Sequence, residues 1–321
     1  MRASTAAAVA AALALSAAPF ACAPSAENLG AVELRPAEVA LPPGARLRLL
    51  DAVELRDGRP EFGGFSALEV SADGTRFVML DDRGFVLEGR LERVGDRLRG
   101  VEAEGLRSLR RRGERPAYAF QDAEGLAIPA PDLDGPRFVG FERAHRLARF
   151  ADGRADEAAL PPFGGMEDWN GNEGLEALAI APDGRLLAIR ERAEEGEGPA
   201  IPAWWLGPDG AGPARPTSLT APEGMSITGA DFGPDGRLYA LARRFDWLSG
   251  FSFAVLRYEL EGDALTGGEE LLRLVPSAGA DNAEGIAAWR DAEGRVRLLV
   301  VTDDNFNLLQ RTLLYDFAVT D

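Results

Sequence analysis

Five times between residues 65 and 305 the chain repeats one pattern, and a repeat of that period limits the architecture more than any single residue does. An apolar or small residue is followed by Ser, Thr or Glu, then by Gly or Ala. An apolar run, a turn usually ending in Asp-Gly or Glu-Gly, and a second apolar run ending in charges complete the unit. The copies are FSALEVSADGTRFVMLDDR (65–83), AEGLAIPAPDLDGPRFVGFER (123–143), LEALAIAPDGRLLAIRER (175–192), ITGADFGPDGRLYALARR (227–244) and AEGIAAWRDAEGRVRLLVVTDDN (283–305). The Ser/Thr/Glu position falls at Ser66, Glu124, Glu176, Thr228 and Glu284, at intervals of 58, 52, 52 and 56 residues.

Each copy predicts two strands joined by a hairpin, with the Asp-Gly supplying residues that tolerate positive φ. Two further β-like runs follow most copies, as in FAVLRYEL (253–260) and EELLRLV (269–275). Four strands per unit make a propeller blade. After Glu284 only 37 residues remain, enough for three strands ending in TLLYDFAV (312–319). The fourth is available at the other end, as RLRLLDAVELR (46–56), and using it there closes the ring and removes a sheet edge. The expected fold is all-β: a β-propeller of five blades, each of four antiparallel strands, closed by an N-terminal strand and occupying residues 45–321. Six blades is the alternative count. A β-sandwich explains neither the period nor the missing strand.

Residues 1–23 read as a signal peptide. Arg2 gives the positive start, TAAAVAAALALSAA (5–18) the apolar stretch, and Ala21 and Ala23 the small residues of a cleavage neighbourhood. The stretch is too short to span a bilayer, and no later run of about 18 apolar residues exists. The expectation is a periplasmic or secreted protein without a transmembrane segment, with a lipid on Cys22 as the alternative. Residues 24–44 are rich in Ala, Pro and Glu and read as a tether or extended lead-in.

Charge and composition narrow the partners. Lys plus Arg number 35 and Asp plus Glu 52, a net charge of −17, and every basic residue is Arg. Such a surface repels nucleic acid and anionic lipid and suits collection of cations. The single Cys excludes an internal disulfide and a Cys-type zinc site; the single His excludes a multi-His centre.

In a propeller the inner strands begin, and the second strands end, on one face around the channel. That face should carry Glu124, Glu176 and Glu284 with Ser66 and Thr228. Joining them are Asp81, Asp82 and Arg83, Glu142 and Arg143, Arg190 and Glu191, Arg243 and Arg244, and Asp303, Asp304 and Asn305. So many acids repel one another unless a cation sits among them. Two segments read Asp-x-Asn-x-Asn: Asp168, Asn170 and Asn172 with Glu173, and Asp303, Asn305 and Asn307 with Asp304. The oxygen ligands suit Ca²⁺, although neither segment is an EF-hand; Asx-turns without metal are the other reading. Arg83, Arg143, Arg190 and Arg243 suit a small anionic substrate, a phosphate ester among the candidates. A second basic cluster, Arg107, Arg110, Arg111, Arg112 and Arg115, reads equally as a solvated loop. His145 is a candidate general acid or hydrogen-bond donor. There is no Gly-x-Ser-x-Gly elbow, Walker loop or dinucleotide fingerprint.

The chain resembles bacterial phytase-like proteins described by the "esterase-like activity of phytase". The resemblance is carried by GGFSALEVSADGTRFVMLDDRG (63–84), DAEGLAI (122–128), FERAHR (141–146), NEGLEALAIAPDGRLLAIRE (172–191), DNAEGIA (281–287) and TDDNF (302–306). It implies an exported propeller that hydrolyses a phosphoester or ester. Propeller phytases use several Ca²⁺ ions and an acidic cleft, but their ligand motifs are not evident in this sequence. The leading expectation is a Ca²⁺-dependent phosphoester hydrolase with a metal-activated water as nucleophile and Glu176 or Glu284 as base, Glu124 being a further candidate. A non-catalytic binding propeller and a lactonase-like Ca²⁺ propeller are the alternatives.

Overall fold

The computed structural model describes residues 26–109, 122–152, 156–169, 174–193 and 199–320. Three strands precede the first repeat: β1 (Ala26–Ala31), β2 (Glu33–Pro36) and β3 (Leu47–Arg56). Blade 1 holds β4 (Phe65–Val70), β5 (Arg76–Asp81), β6 (Phe85–Val94) and β7 (Arg97–Ser108). Blade 2 holds β8 (Ala123–Ala127), β9 (Arg137–Phe141), β10 (Arg146–Phe150) and β11 (Ala158–Ala159). Blade 3 holds β12 (Leu175–Ile180), β13 (Leu186–Arg190), β14 (Ala200–Leu206) and β15 (Arg215–Thr220). Blade 4 holds β16 (Ser226–Phe232), β17 (Leu238–Asp246), β18 (Gly250–Glu261) and β19 (Ala264–Leu274). Blade 5 holds β20 (Ala283–Arg290), β21 (Val296–Thr302) and β22 (Leu313–Val319), and β3 supplies its fourth strand. The inner strands β4, β8, β12, β16 and β20 touch in that order, and β20 returns to β4. The count is therefore five blades.

The closing strand pairs as expected, with Leu313 opposite Glu54 and Val319 opposite Leu47. The segment expected as a lead-in does more than lead in. β1 adds a fifth strand outside β7, and β2 adds one outside β3. The N-terminal chain thus crosses the seam between the last blade and the first, and covers both outer edges there.

The repeated turn has a physical cause. Gly74, Gly184, Gly236 and Gly294 have φ of 73°, 85°, 82° and 83°, and each donates its N–H to the carbonyl three residues earlier. That left-handed position costs glycine little and other residues more. Each hairpin then hides an apolar face on both sides. Five separate apolar clusters result, one at each seam between neighbouring blades. Rigid seams fix where each blade presents the ends of its first two strands, and the site is built there.

Candidate active site at the channel mouth

One irregularity recurs in all five blades. The pairing of the inner strand with its neighbour skips Ser66, Glu124, Glu176, Thr228 and Glu284 in turn. A bulge leaves one residue outside the ladder and re-aims its side chain. The five-fold Ser/Thr/Glu position is therefore a five-fold bulge at the channel mouth. The small residue after it is needed for closeness. A Cβ on Gly229 would run into the Glu284 carbonyl oxygen, and one on Gly285 would lie 2.7 Å from the Leu68 nitrogen. The channel is narrow, and Ser66, Glu176, Thr228 and Glu284 are among the residues that line it.

The acids are not spread evenly. Carboxylate oxygens of Asp122, Glu124 and Glu142 lie within 4.8 Å of one another, and so do those of Glu142, Glu176 and Glu191. Glu142, just after β9, belongs to both groups and joins blade 2 to blade 3. It accepts the Gly174 N–H at 3.0 Å. At the flanks, Arg143 pairs with Asp122, and Arg192 with Glu191 at 2.6 Å. Among the described residues, Glu124, Glu142 and Glu176 have no arginine partner. Burial, reinforced by the neighbouring carboxylates, pushes Glu124 and Glu176 well above the usual carboxylate range. Burial also raises Glu142, despite its hydrogen bonds to Glu176 and Gly174. The cluster therefore holds protons more tightly than free carboxylates do, and an oxygen-seeking cation would relieve the same repulsion.

Elsewhere on the rim Glu284, Asp303 and Asp304 are already engaged, while Asp82 Oδ1 is buried without a hydrogen-bond partner among the described residues. Glu284 pairs with Arg243, which also donates to Asn282 Oδ1 at 2.6 Å. Asp303 accepts the Asn305 N–H at 2.6 Å and an Asn282 amide N–H at 3.2 Å. Asp304 accepts N–H groups of Gly64 and Phe306 at 2.9 and 3.1 Å and the Thr312 hydroxyl at 3.1 Å. Burial nevertheless raises Asp82 to about 6 and Asp303 to about 7. The second Asp-x-Asn-x-Asn segment is thus folded as turns, with Asn305 and Phe306 at φ of 48° and 49°. In the first, Asp168 is exposed in a single 3₁₀ turn, while Asn170, Asn172 and Glu173 lie outside the described residues.

The arginines divide in the same way. Arg83 bridges Asp81 at 3.0 Å and lies 3.5 Å from the centre of the Phe306 ring. Arg107 is held by Glu88 at 2.9 Å, and the rest of that basic cluster lies outside the described residues. Arg143 sits beside Asp122 with a half-exposed side chain and a φ of 53°. Arg190 is buried, with its guanidinium 4.9 Å from the Trp169 ring. His145 packs edge-on against Trp169 at 5.8 Å, and both its ring nitrogens are buried with no hydrogen-bond partner among the described residues. Burial, helped by the Arg190 charge, lowers its pKa and keeps the imidazole neutral. Glu142, Glu191 and Asp122 were legible as rim residues or their neighbours, but not as members of one cluster. The signal that points to Glu142 and Glu191 is their place just past the second strands of adjacent blades.

These features define a closed five-bladed propeller with an acidic channel mouth concentrated between blades 2 and 3. Residues 60–306 match the model of the phytase-like family, described as "Esterase-like activity of phytase", and the chain belongs to that family. No curated protein matches. Among solved structures, the dihydro-heme d1 dehydrogenase NirN is 16% identical, with 90% of this chain and 51% of that one covered and a TM-score of 0.38. This chain spans about half the length of that one. The gluconolactonase XC5397 from Xanthomonas campestris is 16% identical over 93% and 99% of the two chains, TM-score 0.41. A protein of unknown function from Dyadobacter fermentans is 13% identical over 87% and 100%, TM-score 0.45.

Proposed function

We propose that the protein hydrolyses a small anionic ester, a phosphate ester first among candidates, at the mouth between blades 2 and 3, with Ca²⁺ as the assisting ion. The observation that carries this reading is the gathering of Glu124, Glu142 and Glu176 without arginine partners among the described residues. Asp122, Glu124, Glu142, Glu176 and Glu191 are an all-oxygen donor set, which fits a hard divalent cation. When bound, Ca²⁺ would polarise the ester oxygen and offset the charge that develops on it.

The chain's own groups would do the rest. Glu176, re-aimed by its bulge and kept deprotonated when a cation is held by its neighbours, would take a proton from the attacking water. Arg143 and Arg190, at the second-strand ends of the same two blades, would hold the anion. His145, whose ring nitrogens are buried without a partner among the described residues, would donate its one N–H to the leaving oxygen of a substrate that reaches it. Glu284 would hold Arg243 rather than act as base.

The test is a panel of phosphomonoester, carboxylic ester and lactone, each with Ca²⁺ and with chelator. Chelator-sensitive turnover of the phosphomonoester supports the proposal. Turnover of lactone alone would favour a lactonase-like enzyme. No turnover of any would leave a binding propeller.

A further inference from the structure

The described residues expose eight large apolar side chains, and seven lie on the same face as the channel mouth, in blades 4 and 5. Trp247 and Leu248, at the tip of the β17–β18 hairpin, are 91% and 100% exposed. Leu308 and Leu309, in the β21–β22 loop of the adjacent blade, are 103% and 90% exposed. Phe245, Phe306 and Val275 lie at the bases of these loops or beside them and are partly exposed. Only Val94 is on the opposite face. Scattered apolar residues are ordinary on a protein surface; pairs at two neighbouring loop tips are not.

The tips are built to project. Asp246 accepts N–H groups of Leu248 and Ser249 at 3.0 Å each, which turns the hairpin over and leaves Trp247 and Leu248 outside it. Trp247 rests edge-on against Phe245, with ring centres 5.1 Å apart, and Phe245 in turn lies 4.7 Å from Phe251. Asn307 accepts the Leu309 N–H at 3.1 Å in the second loop.

We infer that these two tips insert into a lipid surface, so that the propeller rests on a membrane through the face that carries its channel mouth. Side chains this fully exposed would need two matching pockets in a rigid partner, whereas the boundary of a bilayer accepts both tips at once. Trp and Leu together suit that boundary, where the indole N–H stays wet and the ring and the leucines are buried. The path of the chain supports the same surface. β1 begins with Ala26 opposite Leu106, near the end of β7, so the chain enters the fold from this face. The residues before it include the apolar run 5–18 and Cys22. A retained leader or a lipid on Cys22 would hold this same face toward the bilayer. The net charge of −17 makes the favoured surface zwitterionic, with apolar insertion rather than charge as the attraction.

The inference does not depend on the chemistry of the carboxylate cluster. Its test uses the chain from residue 24 onward, with vesicles of phosphatidylcholine alone and of phosphatidylcholine mixed with phosphatidylglycerol. The protein should sediment with the neutral vesicles, and more weakly with the anionic ones, and its tryptophan emission should shift to the blue. Trp247→Ser with Leu248→Ser should weaken binding about tenfold or more, and adding Leu308→Ser and Leu309→Ser should abolish it. These positions are solvent-exposed, so the fold should survive; the esterase panel and a melting curve check that. Val94→Ser should leave binding unchanged. Equal vesicle binding by wild type and the quadruple variant would overturn the inference. So would an absence of vesicle binding with concentration-dependent dimerisation through the tips, which would make a second copy the occupant.

Discussion

The guanidinium of Arg243, on the second strand of blade 4, is paired with the carboxylate of Glu284 at the inner-strand bulge of blade 5. Glu176 occupies the equivalent bulge of blade 3 and shares a hydrogen bond with Glu142 instead. The same repeat position therefore carries an arginine-paired acid on one side of the channel and an acid set among other carboxylates on the other.

That difference predicts unequal kinetics. Glu176→Gln should lower kcat on the wild-type substrate about 100-fold or more, because it removes a base used in the transition state. Glu284→Gln should lower it less than tenfold. Arg143→Ala and Arg190→Ala should raise KM more for phosphate esters than for neutral ones. Steady-state kinetics on the four variants checks the order; equal losses for both Glu variants would contradict it.

Stability should depend on pH and calcium together. Asp82 and Asp303 rise from 3.8 to about 6 and about 7, and Glu124, Glu142 and Glu176 also rise. A carboxyl whose folded pKa is raised binds its proton more tightly in the native state. Its stabilising effect is present at low pH and is lost as pH climbs through the folded value. Without divalent cation, this set should therefore lower stability as pH rises from about 4 to about 7. If the deprotonated cluster holds Ca²⁺, as proposed, the effect of Ca²⁺ on Tm should grow over the same range. Melting curves with Ca²⁺ and with chelator at several pH values test this; a calcium shift that is largest at low pH would refute it.

The fold was far more legible than the site. A repeat of 52 to 58 residues with Asp-Gly turns and one missing strand leaves few architectures, and the pairing of β22 with β3 follows from that arithmetic. β1 and β2 were hidden because they add to outer edges through backbone hydrogen bonds, which need no alternating apolar pattern. At the rim, the register of the repeat located Glu124, Glu176 and Glu284. The partner of each depends on the neighbouring blade: Arg243 and Glu284 are 41 positions apart in sequence. Asp-x-Asn-x-Asn is equally the signature of a calcium loop and of consecutive Asx turns; in the fold Asp303 and Asp304 accept N–H groups of Asn305 and Phe306, a geometry both readings share.

Closure of the ring rests on a buried ionic contact as well as on β3. Asp316, on β22, is 1% exposed and lies between Arg297 at 2.7 Å and Arg93 of blade 1 at 3.3 Å. Asp316→Ala would take the carboxylate partner from the largely buried Arg93, while Arg297 keeps Asp96 and Asp291 at 3.4 Å each, and should cost about 3 kcal/mol. Removing residues 46–56 should cause aggregation, since it strips a strand from blade 5 and bares an edge. Urea denaturation reads the first effect and gel filtration the second. A chain starting at residue 58 that melts like the longer protein would rule out this closure.

The bulges make a narrower prediction. Gly229→Ala and Gly285→Ala should each destabilise by about 1–3 kcal/mol, because the new methyl meets backbone of the next blade. Gly95→Ala, in a surface turn with open space around it, should be milder despite its φ of 59°. Chemical denaturation of the three variants tests the order.

A cation that assists the reaction from among Glu124, Glu142 and Glu176 should be lost when that cluster is altered. The most direct measurement is calcium-dependent turnover of a phosphomonoester by wild type, Glu142→Gln and Asp303→Asn, each stripped of metal and then titrated with Ca²⁺. Glu142→Gln should need at least about tenfold more Ca²⁺ for half-maximal activity, while Asp303→Asn should stay within about threefold of wild type. The reverse order, or wild-type turnover that is indifferent to Ca²⁺ and chelator, would contradict that placement of the cation.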